Sequence, residues 1–129
     1  MEIVRRFCDC WERLDWDGMV ELLDPDVEQL GTVGGVEERT VRRGTAEMRR
    51  GYESSEEMWA EHRVEMQELI GAGDRVVVFQ REYQRGRASG VELVIDTAAI
   101  FELRDGLIVR IQGYMDPAEA LSAAGVPAR

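Results

Sequence analysis

The stretch from Gly73 to Asp116, GDRVVVFQREYQRGRASGVELVIDTAAIFELRDGLIVRIQGYMD, decides the fold of this chain. Three of its segments are rich in β-branched and aromatic residues, which is typical of strands. Glycine-containing turns separate the segments, and the Asp105-Gly106 pair is a strong signal for a tight hairpin. We therefore predict three consecutive antiparallel strands that form the wall of a cavity, at residues 76–85, 91–103 and 107–115.

The sequence before this wall has mostly helical spacing. Apolar side chains recur every three or four positions in residues 2–14, which predicts an amphipathic helix. A second short helix follows a cap at Asp15 and ends before Pro25, because the residue before a proline disfavours the helical conformation. Residues 26–32 are interpreted as a short strand, and Thr45 as the cap of a third helix.

Two further elements flank the wall. Residues 62–70 alternate with a period of two and predict a fourth strand, whereas the charged residues 37–43 are interpreted as a solvated loop. The sequence Asp116-Pro117-Ala118-Glu119 is a strong helix start, and Gly125 is a matching stop. Helices followed by a hairpin-linked sheet indicate the α+β class. We predict one domain, spanning residues 1–129.

Charge and hydropathy exclude several classes of partner. The net charge of −10 argues against nucleic acid and against an anionic membrane surface, because an acidic protein repels both. No apolar run reaches the roughly 20 residues that a membrane helix needs. The N-terminal sequence MEIVRRFCDCWERL lacks the apolar core of a signal peptide, so we expect a cytoplasmic protein.

Residue types that are rare or missing restrict the chemistry. The chain contains no lysine, which excludes Schiff-base and pyridoxal phosphate chemistry of its own. A single histidine cannot complete a Cys/His zinc site, and no acidic calcium-type loop is present. Cys8 and Cys10 are two positions apart on a helix and are interpreted as reduced packing residues. We expect no metal and no cofactor.

Four segments together resemble the SnoaL-like polyketide cyclases and ketosteroid isomerase relatives of the nuclear transport factor 2-like fold. They are RFCDCWERLDWDGMVELLDPDV, RRGTAEMRRGYESS, ELIGAGDRVVVFQREYQRGRASGVEL and FELRDGLIVRIQGYMDPAEALSAAGV. The resemblance covers nearly the whole chain. It implies a cone-shaped, strongly bent antiparallel sheet with N-terminal helices packed over an internal cavity. This fold hosts several enzyme classes and also binding modules, so the reaction must be argued from the site.

The steroid isomerases of this group use a carboxylate base, an oxyanion hole made by a tyrosine and a protonated aspartate, and a supporting tyrosine. The resemblance places Gly31 at the base, Phe7 at the oxyanion tyrosine and Ala99 at the oxyanion aspartate. Only the supporting tyrosine has a counterpart, Tyr52. Because three of the four groups are missing, we reject steroid isomerisation for this chain.

Strand alternation, combined with the resemblance, predicts which side chains line the cavity. They give an apolar and aromatic surface with a few polar points, which is typical of a site for a small hydrophobic ligand. The predicted substrate-binding residues are Phe7, Trp11, Gln29, Trp59, Phe79, Tyr83, Thr97, Ala99, Phe101 and Ile111. The predicted catalytic residues are His62, Arg81 and Tyr52.

Each polar point has a functional and a structural interpretation. His62 can act as an acid or a base near neutral pH, or it can be a half-exposed residue at the start of a strand. Arg81 can stabilise a developing oxyanion, or it can pair with a structural glutamate such as Glu68. The first hypothesis is a cofactor-free isomerase, cyclase or dehydratase that transfers a proton beside a carbonyl group. The second is a non-catalytic ligand-binding or dimerisation module.

The opposite face of the sheet also carries apolar residues. A sheet that is covered on one side only has polar residues on its open face. We therefore predict a homodimer through this outer face, because an exposed apolar surface commonly marks an interface. The residues behind this prediction are Val76, Val78, Val94, Ala98, Ile100 and Ile108.

Overall fold

The computed structural model describes the backbone of residues 1–35 and 37–127, and their side chains except those of residues 55–60. The elements in chain order are α1 (Glu2–Glu12), α2 (Trp16–Glu21), β1 (Leu23–Val33), β2 (Val41–Arg43), α3 (Gly44–Met58), β3 (Trp59–Ala72), β4 (Arg75–Gly86), β5 (Glu92–Arg104), β6 (Leu107–Tyr114) and α4 (Pro117–Ala124). No helix of the described residues is long and apolar enough to cross a membrane.

The strands form one six-stranded sheet in the order β2-β1-β6-β5-β4-β3. Strands β3 to β6 follow one another as antiparallel neighbours, as predicted. Asp105 and Gly106 have φ angles of 52° and 78° and close the turn between β5 and β6. In contrast, β1 runs parallel to β6, so the sheet is not wholly antiparallel. The α+β class and the helix-covered sheet are confirmed.

Three boundaries differ from the predictions. Strand β1 begins at Leu23 and contains Pro25, at a register irregularity where a missing N–H is tolerated. Residues 41–43 form strand β2 against β1 and are not a loop. Helix α3 begins at Gly44, and the carboxylate of Glu47 accepts a hydrogen bond from the backbone N–H of Arg43, so Thr45 is not its cap.

The sheet has two covered sides, which we call the helix side and the outer side. The helix side packs against α1, α2 and α3, and its centre is the edge-to-face pair of Phe7 and Phe101, with ring centroids 5.5 Å apart. The outer side packs against α4, whose Ala120 and Leu121 are buried on the sheet. Helix α4 is capped at its start by Asp116, whose side chain accepts from Ala118 N.

The composition of the outer side differs from the prediction. Val76, Val78 and Ile108 were expected there, but they belong to the helix-side core. Ala98 and Ile100 do face outward, but α4 of the same chain covers them. Most of the apolar residues that suggested a dimer interface are therefore buried within the chain itself.

Candidate functional site

Strand β4 presents the opposite set of side chains from the one predicted. Val76 and Val78 pack in the helix-side core, whereas Val77 and Phe79 pack on the outer side with α4. Because side chains alternate along a strand, the residues that continue the Val76–Val78 face point toward the helices. These residues are Gln80, Glu82 and Gln84. The predicted inward positions of Phe79, Arg81 and Tyr83 are wrong.

A hydrogen-bonded cluster of polar side chains results on the helix side, across β3, β4 and β5. His62 Nε2 lies 3.2 Å from Glu82 Oε1. Thr97 Oγ1 donates to Glu82 Oε2 at 2.7 Å, and Gln84 Nε2 lies 3.5 Å from Glu82 Oε1. Thr97 is fully buried, whereas the side chains of His62 and Glu82 are 23% and 17% exposed. The site thus contains a carboxylate that the sequence had not located.

The cluster keeps the Glu82 carboxyl ionised. Burial raises the pKa of this carboxyl, but the hydrogen bonds from His62, Thr97 and Gln84 and the charge of His62 outweigh burial and hold the pKa below its ordinary value. The ionised Glu82 carboxylate accepts a hydrogen bond from the Nε2–H of the His62 ring. This histidine–carboxylate pair can orient the ring and support proton transfer.

Arg81 does not share this site. Its guanidinium lies on the outer side and donates to Asp96 Oδ1 at 2.8 Å and to Oδ2 at 3.4 Å. The two side chains are 41% and 61% exposed. Tyr83 lies on the same outer side, where Arg63 stacks over its ring at 4.0 Å. The prediction that Arg81 stabilises an oxyanion beside His62 is wrong, because the sheet separates the two side chains.

Aromatic side chains form the wall between the sheet and the helices. Phe7 meets Trp11 at 6.2 Å, and Trp11 meets Tyr52 at 5.4 Å between ring centroids. Trp16 also contacts Tyr52, edge to face, with ring centroids 5.6 Å apart. The predicted contribution of Trp59 falls on a side chain outside the described residues.

A small hollow lies between α1 and strands β3 and β4. It offers about 10 Å³ to the centre of a water-sized molecule, enough for about one water. Its lining residues are Cys8, Trp11, Glu12, Val64, Met66 and Gln80. The described side chains alone therefore enclose no ligand-sized pocket at this point. Burial, with added repulsion from Glu12 and Asp9, raises the pKa of the Cys8 thiol to about 12, so this lining residue is no nucleophile at neutral pH.

The remaining predicted lining residues are on the helix side. Ala99, Phe101 and Ile111 are buried in its core. Gln29 Nε2 lies 3.0 Å from Tyr52 Oη, and burial raises the pKa of the Tyr52 phenol, which therefore stays protonated. A side chain at Gly31 would place its Cβ 1.6 Å from the carbonyl oxygen of Glu37.

The sequence reasoning missed Gln80 and Glu82 as site residues. Thr97 could have indicated Glu82, because Thr97 was correctly predicted to face inward and lies on β5, which pairs with β4. Gln80 is the register partner of Thr97, so Glu82 is its diagonal neighbour on the same face. Among the described residues, no group of three His, Cys, Asp or Glu side chains could hold a metal ion.

Solved structures of similar proteins share the fold of this chain. A nuclear transport factor 2-like protein from Burkholderia thailandensis superposes with a TM-score of 0.83 at 22% identity, over 98% of this chain and 96% of that one. TerC, co-crystallised with polyporic acid, gives 0.78 at 21% identity, over 96% of both chains. A putative polyketide cyclase from Xanthomonas campestris gives 0.69 at 20% identity, over 95% and 94%.

No curated protein sequence matches this chain. The sequence profile of the SnoaL-like domain matches residues 4–111, which run from the first turn of α1 through most of β6 and contain the whole His62–Glu82–Thr97 cluster. No acidic or hydroxyl side chain is present at Phe7, Gly31 or Ala99, the positions that correspond to the three missing steroid isomerase groups. The fold and the sequence profile nevertheless agree on the family. The chain belongs to the SnoaL-like domain family.

Proposed function

We propose that this protein is a cofactor-free enzyme that transfers a proton beside the carbonyl group of a small hydrophobic compound. The observation that carries the proposal is the His62–Glu82–Thr97 cluster on the helix side of the sheet. A buried carboxylate that is held in its ionised form by a histidine and a hydroxyl is an arrangement suited to acid–base chemistry.

In this mechanism, the His62 imidazole removes a proton from the carbon next to the carbonyl. The C–H electron pair moves into the carbonyl, and an enolate forms. Glu82 stabilises the imidazolium, and Thr97 fixes the carboxylate at the correct orientation. Gln80, which lines the adjacent hollow, takes the role of oxyanion donor that was first assigned to Arg81.

The proton then returns from the imidazolium and completes the reaction. Its delivery to another carbon gives isomerisation. In cyclisation, the enolate first attacks a second carbonyl to close a ring, and the proton is then delivered to the oxygen of that carbonyl. In dehydration, the proton is delivered to a departing hydroxyl group. All three reactions share the first proton removal, so a test of that step does not require the natural substrate.

The test is deuterium exchange into small ketones in D₂O, followed by mass spectrometry. A panel of cyclic and aromatic ketones, such as 1-indanone and 2-tetralone, supplies acidic protons next to a carbonyl. We expect exchange above the buffer rate with the wild-type protein, and a loss of about 100-fold or more in His62→Gln. Glu82→Gln should reduce the rate less, because it keeps the shape of the side chain but not its charge.

Arg81→Gln is the matched control, since Arg81 is a neighbour of Glu82 in sequence but lies on the other side of the sheet. Its exchange rate should equal that of the wild type. Binding of ketones with no exchange above the buffer rate would favour the second hypothesis, a ligand-binding module.

We also propose a homodimer that forms through the outer side beyond α4, where Val94 is an exposed apolar residue. Sedimentation at micromolar concentration should give a dimer, and Val94→Asp should give a monomer. Leu93→Asp is the control, because Leu93 is an exposed apolar residue of β5 that alternates to the face opposite Val94. A monomeric wild type would contradict this part of the proposal. A cytoplasmic location stays a prediction.

A further inference from the structure

A second polar cluster lies on the helix side, beneath α3, and the proposed proton transfer does not use it. Gln29 on β1 and Arg42 on β2 are register partners, so their side chains share one face with Cβ atoms about 5 Å apart. The Tyr52 hydroxyl oxygen of α3 lies 3.0 Å from Nε2 of the Gln29 amide. The positive charge of Arg42 is close enough to lower the pKa of Tyr52, although burial raises it more.

The Gln29 amide has one buried atom with no hydrogen-bond partner, Oε1. In this orientation Nε2 donates to the Tyr52 oxygen. The opposite orientation of the amide fits the same space, since its nitrogen and oxygen are nearly equal in size. The Tyr52 hydroxyl then donates to Oε1, and Nε2 becomes the atom without a partner. Each orientation makes one hydrogen bond with Tyr52, so the amide can turn its N–H donor into the cluster without losing that bond.

Arg42 is held close to the helix by an interior glycine. A Cβ at Gly51 would lie 2.2 Å from Arg42 Nε, so a larger residue there would displace the guanidinium from its position against α3. Glycine inside a helix costs stability relative to alanine. The Arg42 side chain is only 22% exposed and lies 3.3 Å from the carboxylate of Glu37. This contact uses one of the five N–H groups of a guanidinium.

We propose that Gln29, Arg42 and Tyr52 form a subsite for the carboxylate of an organic acid. An amide that can turn an N–H toward a ligand, beside a guanidinium on the same face, matches the two oxygens of a carboxylate. Both features cost the free protein stability: the buried amide lacks a partner, and α3 carries a glycine in its interior. The inference rests on the proposed function only in assuming that a ligand enters the helix side of the sheet.

The test compares 2-naphthoate with 2-naphthamide, which has a similar shape and no charge, by isothermal titration calorimetry. We expect the wild-type protein to bind the acid at least about tenfold more tightly. Arg42→Gln should abolish this preference. Arg43→Gln is the control for overall charge, because Arg43 is the next residue on β2, is exposed and pairs with Glu28. Its preference should remain that of the wild type.

Equal affinity for acid and amide, an unchanged preference in Arg42→Gln, or no binding of either probe would overturn the subsite. An equal loss in Arg43→Gln would do the same, since it would indicate an effect of overall charge on a protein of net charge −10. These measurements involve no proton transfer, so they can fail while ketone exchange succeeds, or the reverse.

Gly51→Ala gives a second and independent test. The added methyl group should displace Arg42 and reduce the preference for the acid, while the melting temperature stays equal or rises because alanine favours the helix. A fall in melting temperature with an unchanged preference would overturn the proposal, because it would show that the glycine serves packing alone.

Discussion

Two neighbouring residues of β4, Arg81 and Glu82, form charged pairs on opposite sides of the sheet. Arg81 pairs with Asp96 on the outer side, where both side chains are more than a third exposed. Glu82 pairs with His62 and Thr97 on the helix side, where its side chain is largely buried. A charge that loses its partner in water is solvated again, whereas a buried charge is not. Loss of a partner should therefore destabilise the protein more on the helix side than on the outer side.

The difference in accessibility gives the largest expected effect. A cysteine at position 81 should react with a charged thiol reagent at least about 100-fold faster than a cysteine at position 82, because a buried thiol reacts only after local opening. Cys8 and Cys10 are buried and give a low background. The rates are measured for Arg81→Cys and Glu82→Cys in dilute protein that sedimentation shows to be monomeric.

Similar rates at the two positions would break the comparison, since they would mean that both side chains of β4 reach solvent equally. A faster reaction at position 82 would restore the strand orientation expected from the sequence. Ser89→Cys is the reference for a fully exposed thiol, because Ser89 lies in the exposed turn between β4 and β5.

The sequence predicted several parts of the wall correctly, most securely where a local signal is present. Strand β5 was oriented correctly, with Thr97, Ala99 and Phe101 on the helix side, although residues 97–101 are all buried. The turn at Asp105-Gly106 was located because few dipeptides adopt positive φ at both positions. The cap at Asp116 was recognised from its own tetrapeptide.

Strand β4 was misread for a physical reason. Val76, Val77 and Val78 are all buried, because α1–α3 cover one side and α4 covers the other. A strand that is covered on both sides has no alternation at that point, so its sequence does not indicate which side is which. The choice between Arg81 and Glu82 as the site residue depended on this one orientation.

The second polar cluster depended on a strand that the sequence does not signal. Strand β2 has only three residues, and its charged character resembles a loop. Only the pairing with β1 brings Arg42 beside Gln29. Contacts of this kind are set by tertiary structure, whereas local propensity is a weak guide to so short a segment.

Removal of the Thr97 hydroxyl tests how much stability the buried pair contributes. Thr97→Val keeps the shape of the side chain but removes the donor to Glu82, which should lower the free energy of unfolding by about 1–3 kcal/mol. Thr97→Ser keeps the hydroxyl and should lose less. Asp96→Asn, on the outer side, should lower the free energy of unfolding much less, because the exposed pair is solvated by water. The measurement is urea unfolding at neutral pH.

Equal losses in Thr97→Val and Thr97→Ser would show that the methyl group, and not the hydrogen bond, is what the core requires at this position. A loss in Asp96→Asn as large as that in Thr97→Val would show that the exposed pair contributes as much as the buried one, which would remove the contrast between the two sides.

Acid titration gives the smallest effect and the sharpest separation of the two pairs. The pKa of Glu82 is lowered in the folded protein from an ordinary value of 4.5, so the stabilisation is fully present above that value and is lost as the pH falls through the lower, folded pKa. Glu82→Gln should therefore remove part of the loss of stability in acid. The pKa of Asp96 is also lowered, mainly by the hydrogen bond from Arg81, so Asp96→Asn should likewise remove part of the loss of stability in acid.

High salt should suppress the Asp96 contribution and leave most of the Glu82 contribution, because exposed charges are screened more strongly than buried ones. Unfolding is followed at several pH values below neutrality, with and without about 1 M NaCl, a concentration at which the screening length falls to about 3 Å. If Glu82→Gln has the same acid dependence as the wild type, or if salt removes its effect as completely as that of Asp96→Asn, then Glu82 is not the buried, ionised group on which the proposed proton transfer depends.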